Sequence, residues 1–124
     1  MVMAAVGMTP ESSAWLARVR HDLVKRLVWP ARDRRDAGGV PEPGELAPRL
    51  IDEEGRPATP AALWAGLAAD APAGAAPDAL DAFAGAVAQA ETAARANDIA
   101  GVLALETAFD GLARTLERRS QGER

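Results

Sequence analysis

The chain has 124 residues, a formal charge of −4 and no cysteine. That length suits one domain with a single hydrophobic core. The missing cysteine excludes disulfides, thiol catalysis, iron–sulfur clusters and cysteine-ligated zinc, and implies a reducing cytoplasm. Apolar residues make up 48% of the sequence but aromatic ones only 4%, so alanine, leucine and valine carry the hydrophobicity and helix is the expected state. The fold class that follows is all-α or nearly so, with about four helices. A single lysine, Lys25, stands against thirteen arginines, a bias of high-GC bacterial genomes. Charge is unevenly placed: residues 1–36 carry seven basic and four acidic side chains, the remainder seven and fourteen. A basic head on an acidic body orients a charged partner.

Residues 1–8 are apolar, without the basic residues of an export signal, and no run approaches the roughly 18 apolar residues of a membrane span. A flexible N-terminus and a chain neither exported nor membrane-spanning are expected. Thr9, Pro10 and Glu11 open the first helix, since threonine caps a free amide and proline needs none at the first helical position. Leu16, Val19, Leu23 and Leu27 then recur at spacings of three and four. Pro30 predicts an end at Trp29, with residues 31–36 as a kinked continuation or a separate turn before Gly38 and Gly39.

Residues 37–58 are dense in proline and glycine and predict an irregular arm between the first two helices. Within it, Leu50 and Ile51 lead into Asp52, Glu53, Glu54 and Gly55, the pattern of a short hairpin turn with glycine in the left-handed position. Pro57 confines the return strand to an edge. So long a connection is expected to pack as an arm or to contact a partner. Thr59 and Pro60 open a second helix over residues 60–69. Pro77 opens a third, with Leu80, Phe83, Ala84, Val87, Ala90 and Ala94 along one face. Asn97 suits the left-handed end of that helix, and Asp98 caps the next. The last helix presents Val102, Leu105, Phe109, Leu112 and Leu116 as a seam, which predicts an antiparallel helical hairpin over residues 77–119 and a fraying tail from Ser120.

No catalytic, cofactor or metal motif emerges. His21 is the only histidine and the one weak catalytic candidate, but no oriented partner accompanies it. Asp52, Glu53 and Glu54 lack the spacing of a calcium loop, and Glu91, Asp98, Glu106 and Asp110 lack the Glu-x-x-His pattern of carboxylate-bridged metal bundles; solvated acids are expected. Gly38 and Gly39 form no phosphate loop, and no cofactor is expected. The basic segment is different: Arg18, Arg20, Lys25, Arg26, Arg32, Arg34 and Arg35 surround Trp15, which core packing would explain, and Trp29, which sits at a proline break where its own helix cannot easily bury it. Arginine and tryptophan dominate interface hot spots. Spacings of four between Arg18 or Arg26 and Asp22, and between Arg32 and Asp36, offer a plainer account as charge ladders on an exposed helix. The expected function is a non-catalytic accessory, adaptor or assembly protein that binds a protein partner through Trp29, Arg26, Arg32, Arg34, Arg35 and the arm. The alternatives are nucleic-acid binding through the same basic helix, disfavoured by the acidic body, and a small helical enzyme using His21 on an anionic substrate. Self-association through the last helix is a further possibility.

Overall fold

The computed structural model describes residues 9–122; the segment expected to be a flexible N-terminus, residues 1–8, lies outside them. The fold is all-α apart from one two-stranded sheet. Thr9 caps α1 (Pro10–Val19), its Oγ1 accepting from the Ser12 amide at 3.1 Å. The rod continues without a break through a π-helical turn (Arg20–Val24) into α2 (Lys25–Ala37). At that turn the Lys25 amide donates to the Arg20 carbonyl, one residue further back than in an α-helix. Val19, Leu23, Leu27 and Ala31 follow one another at intervals of four, a spacing that drifts by roughly 40° per step around a regular helix. The widened turn absorbs part of that drift, and all four residues are buried.

The expected end at Trp29 is corrected by the structure, because α2 runs through Pro30 to Ala37. Proline inside a helix forfeits one backbone bond and costs about 3 kcal/mol. Tertiary contacts hold the downstream turns: Ala31 is fully buried, and Arg32 is bonded to Glu106 on the last helix. Gly38, at φ +81°, then ends the helix, its amide donating to the carbonyls of Arg34 and Arg35.

β1 (Leu50–Ile51) pairs antiparallel with β2 (Pro57–Ala58), Leu50 opposite Ala58 and Ile51 opposite Pro57. The intervening turn is the expected one. Gly55 has φ +80°, and Asp52 Oδ1 accepts from the amides of Glu54 and Arg56, both at 2.9 Å. α3 (Pro60–Ala69) is capped by Thr59, whose Oγ1 accepts from the Ala62 amide at 3.1 Å. α4 (Pro77–Arg95) and α5 (Ile99–Gly122) form the helical hairpin. Asn97 has φ +57°, and Asp98 Oδ1 caps α5 by accepting from the Gly101 amide at 3.1 Å. The seam residues of α5 from Val102 to Leu116 are buried, as are Phe83, Val87, Ala90 and Ala94 of α4. α5 stays helical through Ser120 to Gly122, the span in which the expected fraying tail begins; residues 123 and 124 lie outside the described part. Hairpin packing is tight at Gly101, where a Cβ would stand 2.7 Å from Ala93 Cβ.

The main core joins the first rod and α3 to this hairpin. Trp15, Trp64, Phe83 and Phe109 form a chain of rings with centroids 6.0, 4.8 and 6.3 Å apart, the last two contacts edge-on. The Trp15 indole nitrogen donates to the Leu67 carbonyl at 2.7 Å. Trp15 is therefore a core residue. A smaller cluster, Ala31, Leu46, Ala93, Ala94 and Val102, seats the arm against α2 and the hairpin.

Candidate interaction surface

The five residues expected to meet a partner are placed by one rod but do not share one environment. Trp29 is 54% exposed, with Lys25 Nζ 5.7 Å from its ring centroid, the geometry of a cation–π contact. Arg26, one turn earlier, is exposed. Arg35 lies at the surface with Nε 3.2 Å from Asp36. Arg32 and Arg34 instead serve the fold. Arg32 reaches across to Glu106 on α5 rather than to Asp36, four residues on. Arg34 grips Glu45 of the arm with both ends of its fork, Nε to Oε2 at 2.7 Å and Nη2 to Oε1 at 2.9 Å, and its Nη1 donates to the Gly38 carbonyl at 3.2 Å.

These pairs perturb the acids they engage. The hydrogen bond from Arg34, then that from the Glu42 amide, holds the Glu45 carboxyl below the usual carboxylate range. The hydrogen bond from Arg32 does the same for Glu106, opposed by partial burial and aided by the charges of Arg20 and Arg35. The guanidinium groups of Arg32 and Arg34 are correspondingly held in their charged form.

The arm's order is largely internal. Leu46 is 1% exposed, the Glu42 amide donates to Glu45 Oε1 at 2.9 Å, and Asn97 Nδ2 reaches the Glu42 carbonyl at 3.2 Å. What the arm leaves outside is Val40, 86% exposed, and Ile51 of the hairpin, 53% exposed.

Beside this surface runs a groove of about 510 Å³ between the first rod, α3 and the hairpin turn. Arg18 spans it, with Nη1 3.1 Å from Asp70, Nη2 3.5 Å from Glu53 and Nε 3.9 Å from Asp22. Arg26 shares its wall with Asp22; Leu63 and Leu67 supply apolar lining. Sequence reading did not find this groove. Residues 18, 53 and 70 meet only through tertiary structure, and the one local sign was the acidic turn itself.

His21 lies exposed in the π-helical turn, outside the groove. Among the described residues no group of three or more metal-ligating side chains is gathered. Three of the acids singled out on the helical hairpin have separate partners: Glu91 bonds Arg95, Asp98 caps α5, and Glu106 holds Arg32. No helix among the described residues is long and apolar enough to cross a membrane. Comparison of the chain with family models, curated proteins and solved structures finds no match.

Proposed function

We propose that this chain is a non-catalytic interaction protein, an accessory subunit, adaptor or assembly factor, that binds a protein partner through the Trp29 segment and the outer side of the arm. One observation carries the reading: the large exposed hydrophobics of the described residues, Trp29, Val40 and Ile51, all fall between residues 29 and 51. The helical hairpin shows none, so the exposure is local. An exposed tryptophan beside basic side chains has the composition of an interface anchor. Lys25 and Arg26 supply the charge beside Trp29, and Arg35 an exposed cation further along α2; Arg32 and Arg34 contribute by holding α2 and the arm in place.

The nucleic-acid alternative loses support from the same geometry. Phosphate binding needs free cations, and Arg32 and Arg34 are each engaged with carboxylates. The cysteine-free, arginine-rich composition supports a bacterial, cytoplasmic setting for the complex. Affinity purification of the chain at moderate salt tests the proposal. A protein recovered in stoichiometric amount with the native chain and lost with Trp29→Ala supports it. A protein retained equally by Trp29→Ala and Arg35→Ala, or recovery of the chain alone, contradicts it.

A further inference from the structure

α3 lies at the surface, yet it carries no charged side chain, and its one side chain able to hydrogen-bond, the Trp64 indole, is buried. Its outer face is Ala61, Ala62, Ala65, Gly66 and Ala69, all exposed. A helix whose outer face meets only water is ordinarily polar there. Alanine alone is explained by helix propensity, but Gly66 is not. A mid-helix glycine costs about 1 kcal/mol relative to alanine, and a Cβ at Gly66 would meet nothing within 4 Å. Nothing among the described residues requires that glycine.

Ala62 and Gly66, one turn apart, form the α3 wall of the groove spanned by Arg18. Small residues at that spacing leave a shelf on which a second backbone can lie close. The remaining wall is charged. Asp22, Asp52, Glu53, Glu54 and Asp70 face it against only Arg18 and Arg26, an excess of negative charge at the rim of an apolar floor. Glu53 is almost fully exposed, at 86%, so its bond to Arg18 is weak and available for exchange.

We infer that this groove receives an amphipathic helix of a partner protein, with a small or aliphatic stripe laid on the Ala62–Gly66 shelf and lysine or arginine side chains reaching Asp70, Glu53 and Glu54. Charge complementarity selects the sign of the partner; the small side chains of the outer face of α3 select a closely approaching helix over a loop. The incoming cations replace Arg18 as the counter-ions of Glu53 and Asp70. Arg26 and Ile51 line this groove and belong also to the surface proposed around Trp29, whereas the Ala62–Gly66 shelf and its acidic rim do not.

The test is selection of a displayed library of random peptides against the full chain. The expected consensus carries basic residues around small or aliphatic ones at spacings of three and four. Binding of those peptides weakens about tenfold, or about 1.4 kcal/mol, in Gly66→Gln, while the thermal midpoint of that variant rises because an exposed helical glycine has been replaced. Gly85→Gln, an equally uncrowded and exposed glycine on α4, raises the midpoint in the same way and changes binding less than about twofold. Glu53→Lys weakens binding without unfolding the chain. An acidic or uncharged consensus, no enrichment, or peptides whose affinity survives Gly66→Gln overturns the inference.

Discussion

The helical hairpin and the proline-rich arm are ordered by opposite means. α4 and α5 hold together through a continuous apolar seam, with Val87, Ala94, Val102 and Leu105 at 1% exposure or less. The arm has two buried apolar anchors, Leu46 in the smaller cluster and Leu50 in the main core, and is otherwise latched by polar bonds: Arg34 to Glu45, Glu42 to Glu45, and Asn97 to Glu42. A seam distributes its stability over many contacts, whereas a latch concentrates it. The arm therefore opens locally at a lower free energy than the hairpin, and local opening of this kind is where binding surfaces are commonly found.

The contrast is broken most strongly within the seam. Leu105→Ala removes a side chain that is 1% exposed and is expected to cost roughly 3–5 kcal/mol, seen as a cooperative shift of the whole unfolding transition in denaturant. Leu46→Ala is expected to cost roughly 2–4 kcal/mol, with faster amide exchange in residues 38–50 than in α4 and α5. Equal acceleration in both regions would show that arm and hairpin are one cooperative unit. Gly101→Ala places a methyl 2.7 Å from Ala93 Cβ and from Asp98 Oδ2, and should cost roughly 1–3 kcal/mol, confined to the α4–α5 junction.

The latch also carries a pH signature. Because Arg34 depresses the Glu45 carboxyl in the folded state, its contribution is fully present above the ordinary carboxylate value of 4.5 and is lost as pH falls through the depressed one. An acid titration followed by NMR should show the amides of residues 42–46 moving toward an open arm below that value, while α4 resonances hold until global unfolding. Glu45→Gln should remove this early acid step. The smallest effect is expected at Arg18, whose three ion pairs are surface-exposed; Arg18→Ala should leave the thermal midpoint nearly unchanged.

What was legible in the sequence was local. The Thr-Pro pairs at residues 9–10 and 59–60, the turn ending at Gly55, Asn97 with Asp98, and the seam of α5 each declare themselves within a few residues, and each is found as read. Whether the helix ended at Trp29 or continued past Pro30 was not legible, because the compensation comes from Ala31 in a distant core cluster and from Glu106, 74 residues away. Leu46 stood among prolines and glycines with no periodicity to mark it as a core residue. Trp29 was correctly suspected of exposure, although Pro30 does not break the helix. The roles of Arg32 and Arg34 in holding the fold depend on Glu106 and Glu45, which no helical spacing could have indicated.

Amide hydrogen exchange of the chain, alone and bound to the protein that co-purifies with it, tests the central claim most directly. Partner-induced slowing in α2, around Val40 and in the β1–β2 hairpin, with α4 and α5 unchanged, is the result predicted. Slowing confined to the outer faces of α4 and α5, with Trp29 still open to solvent, would contradict it.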